Sequence, residues 1–209
     1  MALFEIRTDG EALTGIWHIE ENEQQLLDLL YDPSLYEEQL AVLTNEKRRL
    51  EFLAVRVLLR ELTGGQKCVG YEPSGKPFLT DHSFQISISH THGYAAVMIH
   101  PTQPVAIDIE RRADRVMRLR SKFLNRREEE GTDSASPLLY TLICWSAKET
   151  LFKIMNCQQV DFKDHLLLTP FQVADSGSIE AYETRSGYAQ ADRIAYEVQR
   201  DYVLTSCIR

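Results

Sequence analysis

Apolar and polar residues alternate along several short stretches of the chain, which is the pattern of half-buried β-strands. The clearest case is Phe84, Ile86 and Ile88, which alternate with polar neighbours so that one face of the strand can be buried. Turn-forming residues such as Asp9–Gly10 separate these stretches. The predicted strands are Leu3 to Ile6, Gly15 to Ile19, Phe84 to Ser89, Tyr94 to Ile99 and Val105 to Glu110.

Two longer stretches repeat apolar residues at the spacing of a helix that packs on a core. The first follows Thr44, which can cap a helix, and ends at Gly64–Gly65. The second runs from Leu138 to Met155. Weaker patterns predict a helix over Glu20 to Leu30 and further helical structure after Glu110. The segment from Phe162 to Ile208 is predicted to form strands that are separated by Asp-Ser-Gly and Arg-Ser-Gly turns.

The order of helix followed by strands occurs twice, in halves of about equal length. This order predicts an α+β protein of two similar subdomains, each a small, mainly antiparallel sheet packed with a long helix. We place the N-terminal subdomain at residues 1–104 and the C-terminal subdomain at residues 105–209. We expect the active site at their interface, where ligands commonly bind.

Composition and charge restrict the classes of function. The 209 residues are 44% hydrophobic and 26% charged, as in an ordinary globular protein. A net charge of −8 argues against nucleic-acid binding, which needs Lys and Arg to neutralise phosphates. No apolar run is long enough for a signal peptide or a membrane span, and the four cysteines match no zinc motif. We therefore expect a cytoplasmic protein with reduced thiols and no membrane partner.

Two carboxylates share one face of the predicted strand Val105–Glu110. Asp108 and Glu110 alternate with Ile107 and Ile109, so the two acidic side chains point the same way. Neighbouring carboxylates repel each other unless a proton or a cation lies between them, and oxygen ligands suit Mg²⁺. The alternative interpretation is a hydrated polar face at the end of a strand.

The second long helix carries Trp145, Glu149 and Lys153 at intervals of four residues, on one stripe of its surface. Glu149 could be a third metal ligand, and Lys153 could bind a phosphate. Lys148 is a second candidate for phosphate binding, but it lies at a different angle around the helix. The alternative is an ordinary Glu–Lys pair on a solvated helix surface.

Two short segments could bind an anion. Ser89 and His90, at the end of a predicted strand, could donate hydrogen bonds to phosphate. Lys76 precedes Pro77, which holds the lysine backbone extended. A Ser–His hydrolase is disfavoured, because adjacent residues seldom form the hydrogen bond of a catalytic triad and no GxSxG motif is present.

These four elements follow one another in a fixed order. They are Gly75-Lys76-Pro77, Ser87-Ile88-Ser89-His90, Ala106-Ile107-Asp108-Ile109-Glu110 and the segment from Trp145 to Lys153. Their order and spacing resemble those of the motifs in 4′-phosphopantetheinyl transferases of the Sfp type, and the resemblance covers roughly the middle half of the chain. Ala106 stands where that family has glycine.

The resemblance implies a Mg²⁺-dependent enzyme that moves phosphopantetheine from coenzyme A to a serine of an acidic apo carrier protein and releases 3′,5′-adenosine bisphosphate. It implies a pseudo-twofold monomer that binds coenzyme A between its halves. The implied metal ligands, for Mg²⁺ or alternatively Mn²⁺, are Asp108, Glu110 and Glu149. The implied catalytic residues are Glu149, Lys153 and Glu128, which ends an F-x-x-x-x-E element. The candidates for contact with coenzyme A are Lys76, Ser89, His90, Lys148, Arg48 and Arg56.

Several alternatives stay open at this stage. The basic residue that reaches the 3′-phosphate could be any of several on the first long helix, and the base could be Glu149 or Glu128. The basic run from Arg111 to Arg127 is either a docking surface for the carrier or a solvated helix face. A non-catalytic homologue that binds coenzyme A or a carrier protein, or a Mg²⁺-dependent nucleotide phosphohydrolase, would carry similar residues.

Overall fold

The computed structural model describes residues 4–132 and 135–209, so Leu3 of the first predicted strand lies outside the described residues. The chain divides into two compact units, one that extends to Gln103 and one from Pro104 to Arg209. Each unit contains an antiparallel sheet and one long helix. The predicted α+β class, with a sheet and a long helix in each half, is confirmed.

The first unit is built on a four-stranded antiparallel sheet with the strand order β1-β2-β6-β5, and a separate hairpin of β3 and β4. Its strands are β1 (Phe4–Asp9), β2 (Ala12–His18), β3 (Val69–Tyr71), β4 (Pro77–Leu79), β5 (Gln85–Thr91) and β6 (Tyr94–His100). Its helices are α1 (Glu23–Asp28), α2 (Glu37–Ala41) and α3 (Glu46–Thr63), with a 3-10 turn at Pro33–Tyr36. The hairpin of β3 and β4 was not predicted.

The long helix α3 packs its apolar face on this sheet, with Leu53, Val57 and Leu58 fully buried. The predicted cap at Thr44 is wrong by one residue, since the Asn45 side chain accepts a hydrogen bond from the backbone of Arg48. The predicted end is confirmed, because Gly64 takes a left-handed conformation with φ of 69°.

The second unit contains a five-stranded antiparallel sheet with the strand order β7-β11-β10-β9-β8. Its strands are β7 (Val105–Arg111), β8 (Leu166–Leu168), β9 (Ser176–Glu183), β10 (Asp192–Val198) and β11 (Tyr202–Ile208). Its helices are α4 (Arg115–Leu119), α5 (Arg126–Glu130) and α6 (Pro137–Met155), with a 3-10 turn at Arg120–Lys122. Helix α6 buries Ile143, Ala147 and Leu151 in one cluster with residues of the sheet.

One predicted turn of the second unit is wrong. Ser176 and Gly177, in the Asp-Ser-Gly sequence, are the first residues of β9 and not a turn. Gly177 is required there because a Cβ atom would lie 2.7 Å from the hydroxyl of Tyr196 on the neighbouring strand. The glycine in this pattern therefore reflects close packing of an aromatic ring.

All four cysteines are free thiols, as expected, and Cys144 and Cys207 are buried. Among residues 4–132 and 135–209, no helix combines the length and the apolar character that crossing a bilayer requires.

Candidate functional site

Helix α6 binds the acidic face of β7 through three side chains. Asp108 is only 4% exposed. Its Oδ2 accepts a hydrogen bond from Ser146 Oγ at 2.8 Å, and its Oδ1 accepts one from Lys153 Nζ at 2.8 Å. Glu110 Oε1 accepts a hydrogen bond from Trp145 Nε1 at 2.7 Å. These bonds fix both carboxylates against one side of the helix.

Glu149 belongs to the same group of charges. Its pKa is raised to about 7, mainly by burial and then by the negative charge of Asp108, with a smaller contribution from Glu110, while Lys153 opposes the shift. The pKa of Glu110 is raised as well, by burial and then by the charge of Asp108. The three carboxylates therefore interact electrostatically, and the site favours an added proton or cation.

The residue types of this group fit a divalent cation. Carboxylate oxygens are the ligands that Mg²⁺ prefers, and a bound cation would reverse the repulsion that raises the pKa of Glu149. In the described part of the chain, however, no three His, Cys, Asp or Glu side chains are grouped closely enough to hold a metal as they stand. A shared metal would therefore require the carboxylates to move from these positions.

Lys148 is placed differently from its neighbours on α6. Its side chain is 0% exposed, and its ammonium donates hydrogen bonds to Glu128 Oε2 at 2.7 Å, Phe123 O at 2.6 Å and Phe162 O at 2.9 Å. Burial lowers the pKa of Lys148, while the carboxylate of Glu128 opposes this shift. All three ammonium protons thus have acceptors inside the protein.

Glu128 is also buried. One carboxylate oxygen accepts from Lys148 and from the backbone of Asn125 at 2.9 Å, and the other accepts from the backbone of Leu168 at 3.0 Å. The Lys148–Glu128 pair therefore joins α6, α5 and β8. Lys148 is therefore enclosed by protein groups, whereas Glu128, although buried, also lines a cavity of about 580 Å³ together with Arg127 and Lys163.

In the first unit, Arg48, Arg56 and His90 line a cavity of about 270 Å³ together with Gly75 and Pro77 of the predicted lysine segment. Glu51, which is also buried in its wall, accepts a hydrogen bond from Arg48 Nη1 at 3.1 Å. The cavity is smaller than the roughly 300–1,000 Å³ of typical ligand pockets, so it fits only part of a large ligand.

Arg56 is the most unusual residue of this cavity. It is 2% exposed, its guanidinium lies 3.6 Å from the centre of the Phe52 ring, and its Nε has no hydrogen-bond partner among the described residues. Burial lowers the pKa of Arg56. Its Nη2 donates to Gln39 Oε1 at 3.5 Å, and its positive charge in the cavity wall favours binding of an anion.

Two other predicted residues do not face this cavity. Lys76 lines a separate and smaller cavity of about 60 Å³ beside Phe78. Ser89 is a buried neighbour of His90 on β5, and successive residues of a strand point to opposite faces. The structure thus brings together three of the proposed coenzyme A contacts of this unit and not the other two.

Sequence reasoning missed three buried hydroxyl groups that are linked by hydrogen bonds to one another and, through Ser146, to Asp108; they belong to Ser146, Thr150 and Thr205. Ser146 lies inside the Trp-Ser-Ala-Lys-Glu segment, and its position three residues before Glu149 was an available signal. Thr205 pairs with Asp108 across β7 and β11, which could not be read without the strand register.

Comparisons with known proteins address the second unit. No curated protein sequence matches the chain. Residues 104–207, however, match a family model, and this range includes Asp108, Glu110, Glu149 and Lys153. Over residues 104–207, the chain is similar to the 4′-phosphopantetheinyl transferase superfamily.

Proposed function

We propose that this protein transfers the 4′-phosphopantetheine group of coenzyme A to a serine of an acidic apo carrier protein, with Mg²⁺ and with release of 3′,5′-adenosine bisphosphate. The observation that carries the proposal is the group of three interacting carboxylates on β7 and α6 beside Lys153. The family match over residues 104–207 supports the same reaction class. The exposed arginines of α4, Arg115 and Arg118, offer charge complementary to an acidic carrier.

In this reaction, the serine oxygen bonds to the β-phosphorus of coenzyme A while the bond from that phosphorus to the adenosine bisphosphate oxygen breaks. Asp108, Glu110 and Glu149 would hold Mg²⁺, which supplies positive charge to the pyrophosphate oxygens. Trp145 and Ser146 hold Glu110 and Asp108 in place. Lys153, whose side chain is 26% exposed, would neutralise charge on the leaving phosphate.

We assign the serine proton to Glu149 and not to Glu128. Glu149 is partly exposed, so its carboxylate can accept a proton from a bound hydroxyl. Glu128 is buried, and both of its oxygens already accept hydrogen bonds inside the protein. We also assign Lys148 a role in stabilising the fold, and not in contact with coenzyme A, because its ammonium bonds only to protein groups.

We further assign the anionic nucleotide end of coenzyme A to the cavity lined by Arg48, Arg56 and His90. The guanidinium groups of Arg48 and Arg56 in its wall supply positive charge, which supports a phosphate there. Arg48 is 58% exposed at its side chain, so it can bind an incoming anion at low cost to the fold.

Replacement Arg48→Ala is expected to weaken binding of coenzyme A about tenfold, because a charge-assisted hydrogen bond to phosphate contributes roughly 1.5–3 kcal/mol. Isothermal titration calorimetry measures the dissociation constant. Arg60→Ala is the matched control, since Arg60 lies on the same helix α3 and pairs with Glu61 outside the cavity. Equal dissociation constants for the two variants would contradict the assignment of this cavity.

The transfer reaction itself is tested by incubating the protein with coenzyme A, Mg²⁺ and a panel of apo carrier proteins from fatty-acid, polyketide and peptide synthesis. We expect at least one carrier to gain the mass of one phosphopantetheine group, and its serine-to-alanine variant to gain none. Release of free phosphopantetheine without a modified carrier would indicate a phosphohydrolase. Tight binding of coenzyme A with neither product would indicate a non-catalytic homologue.

A further inference from the structure

Three buried hydroxyl groups form a chain that ends on Asp108. Ser146 Oγ donates to Asp108 Oδ2 at 2.8 Å and lies 2.9 Å from Thr205 Oγ1, which in turn lies 2.6 Å from Thr150 Oγ1. Ser146 and Thr150 are one turn apart on α6, and Thr205 is the partner of Asp108 across β11 and β7. The side chains of all three are 0% exposed.

The carboxylate fixes the direction of the hydrogen bond from Ser146, and this limits the directions of the others. An ionised carboxylate only accepts, so the single proton of the Ser146 hydroxyl is used on Asp108. A proton between the Ser146 and Thr205 hydroxyls can then come only from Thr205, whose Oγ1 also donates to the carbonyl oxygen of Ser146 at 2.9 Å, so both acceptors of its one proton belong to Ser146. With the Thr205 proton used on Ser146, the 2.6 Å bond between Thr150 and Thr205 takes its proton from Thr150, so Thr150 supports Thr205 and Thr205 supports Ser146.

The chain also fixes the distance between helix and strand. Ser146 lies three residues before Glu149, on the same side of α6. Its bond to Asp108 therefore holds the helix that carries Glu149 against the strand that carries Asp108 and Glu110. A loss of this bond would remove the restraint on Asp108 Oδ2, while Lys153 would still hold Oδ1.

We propose that Ser146, supported by Thr205 and Thr150, is a positioning residue that orients Asp108 as a metal ligand. This inference rests on the proposed function, because it assigns the hydroxyl chain to the metal group of that site. Partners that orient the ligands of a metal typically change its affinity by about 10–100-fold when they are removed. A purely structural role would change stability and leave metal affinity unaltered.

The test is the binding of Mn²⁺ to the full chain, followed by the electron paramagnetic resonance signal of the free ion. We expect Ser146→Ala to raise the dissociation constant of Mn²⁺ about tenfold or more, and Thr150→Val to raise it by a smaller amount. Thr141→Val is the matched control, because Thr141 is a buried residue of the same helix whose hydroxyl donates to the carbonyl of Pro137. It should bind Mn²⁺ as the wild type does.

The outcomes separate this inference from the proposed function. Wild-type affinity in Ser146→Ala, or an equal loss in Thr141→Val, would overturn the inference and leave the proposed function standing. Absence of Mn²⁺ binding in the wild type would overturn both. If Ser146→Ala does not fold, Thr150→Val decides, since an affinity equal to that of Thr141→Val would exclude the positioning role.

Discussion

Replacement Asp108→Asn is expected to reduce the rate of phosphopantetheine transfer by about 10³-fold, the cost of losing one electrostatic stabiliser in an enclosed site. Asparagine keeps the size of the side chain and an oxygen that can accept from Ser146. It removes the charge that binds Lys153 and that would attract the metal. The initial rate of carrier modification at a fixed concentration of Mg²⁺ measures the effect.

The control for this variant is Asp175→Asn, the same change at an exposed position of the second unit. We expect this control to transfer phosphopantetheine at the wild-type rate, because an exposed side chain away from the acidic group contributes little. A rate for Asp108→Asn within a few-fold of the control would show that Asp108 does not serve the reaction.

Replacement Lys148→Met is expected to lower the free energy of unfolding by about 3–5 kcal/mol, because removing one partner of a buried ion pair leaves the other charge uncompensated. The carboxylate of Glu128 would remain buried, and the carbonyls of Phe123 and Phe162 would lose their donor. Urea unfolding measures the change.

Two further variants test the cause of this loss. Lys122→Met makes the same change at an exposed position of the 3-10 turn, where we expect an effect within about 0.5 kcal/mol. The double variant Lys148→Met with Glu128→Gln should recover part of the stability, because glutamine is neutral and still offers an acceptor to the backbone of Leu168. An unchanged unfolding curve for Lys148→Met together with weaker binding of coenzyme A would instead restore Lys148 as a ligand contact.

Local periodicity predicts much of this fold. The alternation in β7 places Asp108 and Glu110 on one face, and the spacing of four residues in α6 places Trp145 and Lys153 where both bind β7. The directions of these side chains depend only on the local geometry of a strand or helix, so they can be predicted without the tertiary structure. The observed cap of α3 differs from the predicted cap by one residue, because Thr44 and Asn45 are both residue types that can cap a helix. In the structure the capping hydrogen bond is made by the side chain of Asn45.

Burial of charge was the main feature that the sequence could not predict. Lysine and glutamate are seldom buried, so a surface position was the reasonable expectation for Lys148 and Glu128. Their burial depends on the convergence of α5, α6 and β8, which only the tertiary structure defines. The role of Ser146 likewise depends on Thr205, a residue that strand pairing brings beside Asp108 from near the end of the chain.

The central claim is that Asp108, Glu110 and Glu149 act together on one divalent cation. A Mn²⁺ titration of the wild type and of Asp108→Asn, Glu110→Gln and Glu149→Gln measures this most directly, because it needs neither a carrier protein nor coenzyme A. The account predicts one binding site in the wild type and a weaker site in each of the three variants. Wild-type affinity in all three variants, or no site in the wild type, would contradict it.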